Sequence, residues 1–222
     1  MADETARTLL VVGAARGAGR WLVEHVLPSA TWSRVILADV HWPARERDLA
    51  RLSALYSAPL NLAVSQPHGA LSDLATGREL PVPGPASAVV AVPSAAIGDA
   101  AGGVARATPP GTPVVVVSHA MRRALRDAAR AADGRPVAGL HALFDPSAQS
   151  AEGQILYLAR DGADAGAPVP ELPWLEDAVV AAGGILTTGT AAGHDDSMRY
   201  VQALAHQTLV AFADAITRSG RD

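Results

Sequence analysis

The stretch Thr8–Arg20, with the sequence TLLVVGAARGAGR, decides the fold of this 222-residue chain. An apolar run over 8–13 leads directly into a glycine-rich turn, and residues 19–27 then show helical spacing of their apolar side chains. A buried strand, a glycine-rich turn and a helix in this order are typical of the first unit of a doubly wound α/β fold. We therefore expect a parallel sheet that starts at Thr8.

The rest of the chain continues the alternation of strands and helices. Continuous apolar runs predict strands that are buried on both faces. These predicted strands are 34–39, 86–92, 113–118, 136–140, 153–159 and 184–188, and the predicted helices are 44–56, 94–107, 119–132 and 173–182. Residues 60–85 are rich in Pro, Gly and Ser and stay unassigned, and 161–170 is predicted as a surface loop. The pattern predicts a Rossmann-like α/β domain over 1–190 with a mostly parallel sheet, followed by a helical extension over 191–222.

Composition excludes several classes of function. The chain has no cysteine, and all 18 of its basic residues are arginine, so disulfides, thiolate nucleophiles and lysine Schiff bases are impossible. A net charge of −4 without a basic cluster argues against nucleic acid as a partner. Charges and Gly or Pro interrupt each apolar run, so no membrane partner is expected either. We expect a cytoplasmic protein with one hydrophobic core.

The glycine-rich turn predicts a dinucleotide site. Glycines let backbone N–H groups approach a pyrophosphate at a helix N-terminus. Asp39 ends the second apolar run, where a carboxylate would accept the ribose hydroxyls of NAD and repel the extra phosphate of NADP. The predicted NAD-binding residues are Gly13, Ala14, Ala15, Arg16, Gly17, Ala18, Gly19, Asp39 and Val92. A tight turn without any ligand is the alternative interpretation.

The spacing of these glycines, Gly-x-x-x-Gly-x-Gly, resembles the loop of short-chain dehydrogenases. That family needs a Tyr-x-x-x-Lys pair, which a chain without lysine does not have. The resemblance therefore ends at the loop.

Two later segments resemble prephenate dehydrogenases and their arogenate and 4-amino-4-deoxyprephenate relatives. The segment Gly139–Pro146, GLHALFDP, is similar to the family's Gly-Leu-His-Pro-Met-Phe-Gly-Pro. The segment Gly193–His206, GHDDSMRYVQALAH, is similar to its Glu-His-Asp, Met and Gln-Ala-Leu-x-His pattern. Gly153–Leu158 and Trp174-Leu175 fall where the family has a Gly-Gln strand and a Trp-Leu helix. The likeness extends from Leu9 to about Ile216.

The resemblance implies an NAD-dependent oxidoreductase that oxidises and decarboxylates a cyclohexadienyl acid in tyrosine biosynthesis or a specialised pathway. It implies that His141 assists at the substrate hydroxyl, a role that suits a neutral imidazole. His119 falls at the position of the family's serine and Ser118 one residue before it, and one of the two would support His141. The resemblance implies that His206 and an arginine bind the substrate carboxylate or the cofactor. Candidates for the arginine are Arg122, Arg123 and Arg199, or an arginine of a second subunit.

The chain also departs from the family pattern. Ala14 and Arg16 replace glycines of many relatives, Met121 stands in place of a lysine, and relatives continue into further helices beyond the position of Asp222. These departures leave an alternative: a non-catalytic homodimer that keeps the fold and acts as a binding or scaffold protein. Nicotinamide binding would separate the two hypotheses.

The last thirty residues predict one long helix. Asp195, Arg199, Gln202 and His206 have the spacing of one helical face, beside an apolar stripe over Met198–Ile216. A single apolar helix needs a neighbour, so we expect a homodimer joined through it. His194 and Asp195 are interpreted as chiefly architectural, and neither His-x-x-x-His nor His-Glu-x-x-His occurs, so no metal site is expected.

Overall fold

The computed structural model describes residues 7–42, 44–65, 71–74, 76–84, 86–161 and 169–220. His68 and most of the predicted loop over 161–170 lie outside the described residues.

One mixed sheet forms the centre of the protein. Its nine described strands are β1 (Thr8–Val12), β2 (Arg34–Asp39), β3 (Leu60–Ser65), β4 (Leu71–Asp73), β5 (Ala86–Val90), β6 (Val114–Val117), β7 (Val137–Ala142), β8 (Ile155–Ala159) and β9 (Ile185–Gly189). Their order is β4-β3-β2-β1-β5-β6-β7-β8-β9. The six strands from β3 to β7 in this order are parallel, whereas β4 pairs antiparallel with β3 and β8 pairs antiparallel with β7.

Helices connect the strands and cover both faces of the sheet. They are α1 (Gly17–His25), α2 (Arg45–Ser53), α3 (Ile97–Ala107), α4 (Met121–Ala131), α5 (Pro173–Ala181), α6 (Ala191–Met198) and α7 (Ala205–Arg218), and a π-helical segment, Arg199–Leu204, joins α6 to α7. The strand order from β3 to β7 is that of a Rossmann fold. The predicted doubly wound, mostly parallel α/β architecture is therefore confirmed.

Two apolar layers enclose the sheet, as expected for strands that are buried on both faces. All five residues of β1 are buried, and alternate side chains enter opposite layers: Leu9 packs with Trp21 and Leu22 of α1, whereas Leu10 packs with Leu125 of α4. Successive side chains of a strand point to opposite faces, so an uninterrupted apolar run is needed to fill both layers. The two faces of the sheet are thereby covered by apolar side chains.

The region between α2 and β5 was not assignable from the sequence, and it contributes two strands. Leu60–Ser65 continues the parallel sheet beyond β2, and Leu71–Asp73 forms a short antiparallel edge. Their burial patterns mix buried and half-buried residues, because they lie near an edge of the sheet. A partly covered edge strand lacks the long apolar run by which the other strands were recognised.

The C-terminal segment differs from the single α-helix that was predicted. The segment starts at Ala191, becomes π-helical over Arg199–Leu204 and returns to α-helical geometry at Ala205. Every residue of α7 is exposed, including Phe212 with 65% of its surface accessible. The extension therefore projects an apolar surface into solvent. No helix among the described residues is long and apolar enough to span a bilayer.

Candidate functional site

The glycine-rich turn brings β1, β5 and α1 into close contact. Gly13 has a φ of +88°, and a Cβ atom there would lie 2.2 Å from the carbonyl oxygen of Ala91. A Cβ on Gly19 would lie 2.1 Å from the carbonyl oxygen of Gly13. These two positions require glycine, because any side chain would force the turn and the helix apart. The close packing places the N-terminus of α1 at the carboxyl edge of the sheet.

Hydrogen bonds anchor the turn to β2. The N–H groups of Gly13 and Ala14 donate to the carbonyl oxygen of Ala38, at 2.8 and 3.2 Å. The N–H of Ala15 donates to Oδ2 of Asp39 at 2.9 Å. These three amides are already engaged, so a pyrophosphate would depend on the first N–H groups of α1, which begins at Gly17.

Asp39 is buried at the carboxyl end of β2. Its Oδ1 accepts a hydrogen bond from the N–H of His41 at 3.3 Å, while Oδ2 accepts from Ala15. An ionised carboxylate has further lone pairs on both oxygens, so it retains the capacity to accept ribose hydroxyls. The position of Asp39 fits the role that the sequence predicted for it.

A cavity of about 1290 Å³ opens beside this carboxylate, on the carboxyl side of the switch between β1 and β5. Of the predicted cofactor residues, it is lined by Gly13, Arg16, Gly17, Ala18, Asp39 and Val92, and its wall extends to Val117 at the end of β6. Its volume exceeds the roughly 300–1,000 Å³ that is usual for a drug-sized ligand. The cavity fits a nicotinamide dinucleotide. Its wall contains a glycine that no other residue can replace, the N-terminus of α1 and the carboxylate of Asp39.

Three of the predicted residues do not line this cavity. Ala14, Ala15 and Gly19 shape the turn from behind, through the contacts described above. Arg16 is exposed and precedes α1, with an extended backbone at φ −149°. Its guanidinium is a second charge at the cavity wall, opposite in sign to Asp39.

His141 lies near the carboxyl end of β7, one residue beyond the last paired position of β6, where Val117 faces Leu140. Its side chain is buried, with 8% of its surface exposed. Burial, followed by the neighbouring His194 and His119, lowers the pKa of His141 to about 4. The imidazole is consequently neutral at pH 7 and has one nitrogen that can accept a proton.

His194 and Asp195, from the first turns of α6, continue a hydrogen-bonded row that begins at His141. Nδ1 of His141 lies 2.8 Å from Nε2 of His194, and Nδ1 of His194 lies 2.9 Å from Oδ1 of Asp195. His194 is 1% exposed, and its ring also packs against that of Tyr157, with 5.0 Å between the centroids. The row runs from the sheet edge to the surface of α4.

Asp195 closes the N-terminus of α4. Its Oδ1 accepts from the N–H of Met121 at 2.8 Å, and Oδ2 accepts from the N–H of Arg122 at 3.0 Å. Burial would raise the pKa of Asp195, but hydrogen bonds from His194, Arg122 and Met121 outweigh burial and lower it. The carboxylate is therefore ionised and acts as an acceptor only.

Ser118 and His119 follow β6 on the strand next to His141. Ser118 is buried; its N–H donates to the carbonyl oxygen of Leu140, and its Oγ accepts from the N–H of Ala120 at 3.1 Å. The hydroxyl proton of Ser118 can still be donated to a ligand. His119 is exposed and is close enough to His141 to influence its charge. Ser118, His119 and His141 stand at the carboxyl edge of the sheet, next to Val117 on the cavity wall, but none of the three lines the cavity itself.

The predicted carboxylate-binding residues occupy two different environments. Arg122 is in the first turn of α4, where its backbone contacts Asp195, so it belongs to the same neighbourhood as His141. Arg199 is exposed and pairs with Asp196 at 3.4 Å, and His206 is exposed on α7. The structure brings the backbone of Arg122, whose side chain is exposed, next to Asp195 and leaves Arg199 and His206 on the projecting segment.

The π-helical segment changes the face that the sequence predicted for Asp195, Arg199, Gln202 and His206. A π turn contains more residues than an α turn, so the spacing of 3.6 residues per turn does not extend through Arg199–Leu204. The expectation of one continuous polar face is therefore corrected. Within the described residues no cluster of His, Asp and Glu side chains is arranged to hold a metal ion.

Sequence reasoning did not recognise His194 as the hydrogen-bond partner of His141. The two residues are 53 positions apart, and only their meeting in the fold reveals the pair. The signal was present in the His194-Asp195 dipeptide, because an acidic neighbour is what orients an imidazole. Tyr157, which is paired with His141 across β7 and β8, was also not singled out as part of the site.

The fold of this chain is similar to solved structures from two groups of enzymes. Prephenate dehydrogenase from Aquifex aeolicus matches with a TM-score of 0.68 at 13% identity, over 96% of this chain and 72% of that one. A second structure of that enzyme, in complex with hydroxyphenyl propionate and NAD+, matches with a TM-score of 0.66 at 12% identity, over 97% and 71%. Synechocystis arogenate dehydrogenase matches with a TM-score of 0.64 at 16% identity, over 97% and 70%.

Imine reductases share the fold at somewhat lower similarity. The enzyme from a Pseudomonas species has a TM-score of 0.57 at 13% identity, over 95% of this chain and 65% of its own. No protein-family model matches the sequence, and no curated protein matches it either. The chain thus has the fold of prephenate and arogenate dehydrogenases, at identities that establish the fold alone.

Proposed function

We propose that the protein is an NAD-dependent dehydrogenase that oxidises and decarboxylates prephenate or a related cyclohexadienyl acid, such as arogenate or 4-amino-4-deoxyprephenate. The observation that carries this proposal is a buried, neutral His141 at the carboxyl edge of the sheet, on the strand next to β6, whose Val117 lines a cavity that fits a dinucleotide. The Aquifex enzyme, crystallised with NAD+ and a hydroxyphenyl acid, supports the same class of ligands. The shared fold of imine reductases shows that the fold alone does not select the substrate, so the residues must do so.

Two groups of residues would hold the cofactor. Asp39 would accept the ribose hydroxyls, while Gly17 and Ala18 at the start of α1, with Arg16, would face the pyrophosphate. Bound NAD would supply the nicotinamide ring that accepts a hydride from the carbinol carbon. Asp39 disfavours the additional phosphate of NADP, because two negative groups at one site repel each other.

His141 would act at the substrate hydroxyl. Its unprotonated nitrogen accepts the hydroxyl proton while the carbinol carbon is oxidised, and the bond between the ring and its carboxylate breaks to release carbon dioxide. The electron pair of that bond makes the ring aromatic, and His141 returns the proton to the phenolic oxygen. Ser118 would donate a hydrogen bond to the same oxygen from the neighbouring strand.

A guanidinium is needed for the substrate carboxylate. Arg122 is the candidate nearest to the buried histidines, since its backbone contacts Asp195. Arg199 and His206 would contribute from the exposed extension, in this subunit or from a second copy. An arginine holds a carboxylate through two parallel hydrogen bonds, which fixes its orientation as well as its charge.

We also propose that the protein is a homodimer joined through the C-terminal extension, residues 191–222. Val201, Leu204, Leu209, Phe212 and Ile216 are all exposed in the single chain. A contiguous apolar surface of this kind normally marks an interface. A second copy of the chain would cover this apolar surface.

The alternative, a binding or scaffold protein without catalysis, is favoured by one observation. The amides of Gly13, Ala14 and Ala15 are engaged within the protein, which leaves fewer donors for a pyrophosphate. Fluorescence titration with NADH separates the two proposals: binding below millimolar concentration supports the dehydrogenase, and its absence supports the alternative.

Turnover then tests the chemistry. Prephenate, arogenate and 4-amino-4-deoxyprephenate are each assayed with NAD for wild type, His141→Asn and His25→Asn. His141→Asn should lose about 10²–10⁴-fold in kcat, the usual contribution of a general base. His25→Asn is the matched control, since His25 lies at the end of α1 beside Trp21. Equal rates for His141→Asn and wild type would remove His141 from the mechanism.

A further inference from the structure

The row His141–His194–Asp195 has a direction that follows from its last member. The ionised carboxylate of Asp195 accepts hydrogen bonds and donates none, so Nδ1 of His194, at 2.9 Å, must carry a proton. In a neutral His194 the other nitrogen, Nε2, then has a lone pair. This lone pair faces Nδ1 of His141 at 2.8 Å. For a hydrogen bond to form between them, Nδ1 of His141 must carry a proton.

Two arrangements would satisfy these distances. In the first, both rings are neutral and each donates from Nδ1 toward Asp195. In the second, His194 is a cation that donates to both neighbours, and His141 carries its proton on Nε2. His194 is 1% exposed, so a cation there would lose its hydration, and its partner charge is Asp195, whose two oxygens already accept hydrogen bonds from the N–H groups of Met121 and Arg122. We therefore favour the neutral arrangement. The first arrangement leaves Nε2 of His141 without a proton.

We propose that His194 and Asp195 are positioning residues that hold His141 in the tautomer with the proton on Nδ1, so that its bare Nε2 is available to accept a proton from a ligand. The catalytic consequence rests on the function proposed above, whereas the tautomer itself does not. Without such a partner a neutral imidazole exchanges between two tautomers, and only one of them can serve as the acceptor.

The surroundings of the row support a fixed geometry. The rings of His141 and His194 meet at 74°, which suits an in-plane hydrogen bond from one ring to the edge of the other. Tyr157 packs against His194 from β8 and is itself held by a hydrogen bond from its hydroxyl to the carbonyl oxygen of Thr190 at 3.0 Å. Gly189 makes room for this phenol, since a Cβ there would lie 2.1 Å from the hydroxyl oxygen.

The groups that surround His141 come from three elements. Asp195 and His194 face it from α6, His119 lies in the turn between β6 and α4, and Tyr157 is its partner on β8. Asp195 is the one acidic side chain among these groups, and it reaches His141 through His194. Substitution of His194 therefore breaks the hydrogen-bonded link between Asp195 and the imidazole of His141, while the negative charge of Asp195 stays in place.

The test uses the full chain and reads the tautomer directly by nitrogen-15 NMR of the histidine rings at pH 7. Wild type should show His141 with its proton on Nδ1. His194→Leu should shift His141 to a mixture of tautomers, whereas His194→Gln, whose amide oxygen can accept from Nδ1 of His141, should largely retain the wild-type signal. Asp195→Asn provides a second perturbation of the same row if His194→Leu does not fold, and it should shift the same resonance.

Kinetics with NAD and the best substrate give an independent measurement. His194→Leu should lower kcat by about tenfold or more with KM within about threefold, and His194→Gln should recover most of the loss. A His141 that carries its proton on Nε2 in wild type, or a tautomer that is unchanged by both His194→Leu and Asp195→Asn, would overturn the proposal. If no substrate is turned over, the proposed function fails while the tautomer measurement still decides this inference.

Discussion

The imidazoles of His141 and His194 are within hydrogen-bonding distance, 2.8 Å between Nδ1 and Nε2, although the residues belong to β7 and α6 and are 53 positions apart in the sequence. The contact joins the sheet edge to the first helix of the extension. It also places His141, whose pKa is lowered, against the extension, so both stability and chemistry should respond to changes there.

Acid should destabilise the fold through His141. In the unfolded chain this residue binds a proton near its ordinary pKa of 6.5, whereas in the folded protein its pKa is about 4. Between pH 7 and pH 5 the unfolded state therefore takes up a proton that the folded state does not. The free energy of unfolding should fall by about 1–2 kcal/mol across this interval, after allowance for solvent screening.

Urea denaturation at several pH values measures this effect. His141→Gln should flatten the dependence between pH 7 and pH 5, and His25→Gln should preserve it. An identical slope for His141→Gln and wild type would show that His141 is not the responsible group.

Gly19→Ala should destabilise the protein by more than 2 kcal/mol, although alanine favours helices. The new Cβ would lie 2.1 Å from the carbonyl oxygen of Gly13, so α1 must move away from the turn. Gly98→Ala in α3 is the matched control, because its Cβ would lie 3.7 Å from the backbone carbonyl oxygen of Asp127, which is an ordinary van der Waals contact. That control should be neutral or stabilising by about 0.5–1 kcal/mol. Thermal unfolding of both variants distinguishes the two cases.

Asp39 should control the choice between NADH and NADPH. Wild type is expected to bind NADH at least about tenfold more tightly, because the carboxylate repels the additional phosphate. Asp39→Asn keeps an oxygen for the N–H of Ala15 but removes the charge, so the ratio of the two dissociation constants should narrow. Fluorescence titration of both nucleotides measures the ratio, and an unchanged ratio would separate Asp39 from cofactor selection.

Arg135 should be important for stability. Arg135 is 5% exposed, and its guanidinium donates to the carbonyl oxygens of Thr108, at 2.9 Å, and Ala105 near the end of α3. Arg135→Met would leave these buried carbonyls unsatisfied and should cost about 2–4 kcal/mol. Arg126→Met, on the exposed face of α4, should change stability by less than about 0.5 kcal/mol. Equal unfolding midpoints for Arg135→Met and Arg126→Met would show that the hydrogen bonds of Arg135 do not stabilise the fold.

Phe212→Glu should convert the proposed dimer into monomers. Phe212 lies within the apolar surface of the extension, and a carboxylate at the centre of an interface would be buried without a partner. Val180→Glu on α5 is the matched control, since Val180 is a similarly exposed apolar residue, at 68%, away from the extension. Light scattering at micromolar concentration gives the masses. A wild type that is already monomeric would refute the dimer.

The sequence predicted most of the sheet because a strand that is buried on both faces needs an uninterrupted apolar run. The runs at Thr8–Val12 and Arg34–Asp39 are examples, and both coincide with observed strands. Leu60–Ser65 was unassigned because an incompletely buried strand alternates its residue types and lies among Pro, Gly and Ser. The π-helical segment was also not predictable, since the apolar spacing on either side of it fits an ordinary α-helix.

The candidate site was predictable where its residues belong to one local motif. The turn from Gly13 to Gly19 and the carboxylate of Asp39 follow from strand, turn and helix in sequence. The contact between His141 and His194 depends on how α6 packs against α4 and β8, which no local pattern encodes. The sequence therefore indicated the individual histidines, while their hydrogen bond emerged only from the fold.

Asp195 neutralises the α4 terminus from within the protein, at the kind of position where helices commonly attract anions. The carboxylate of Asp195 would repel a small acid that approaches His141 from the side of the α4 N-terminus. In the proposed enzyme an arginine side chain, such as the exposed Arg122 beside Asp195, would have to balance the charge of that acid. The side chain that binds the acid and the imidazole that accepts the proton would then be different residues, so the range of acids could change by exchange of an arginine while His141 is kept.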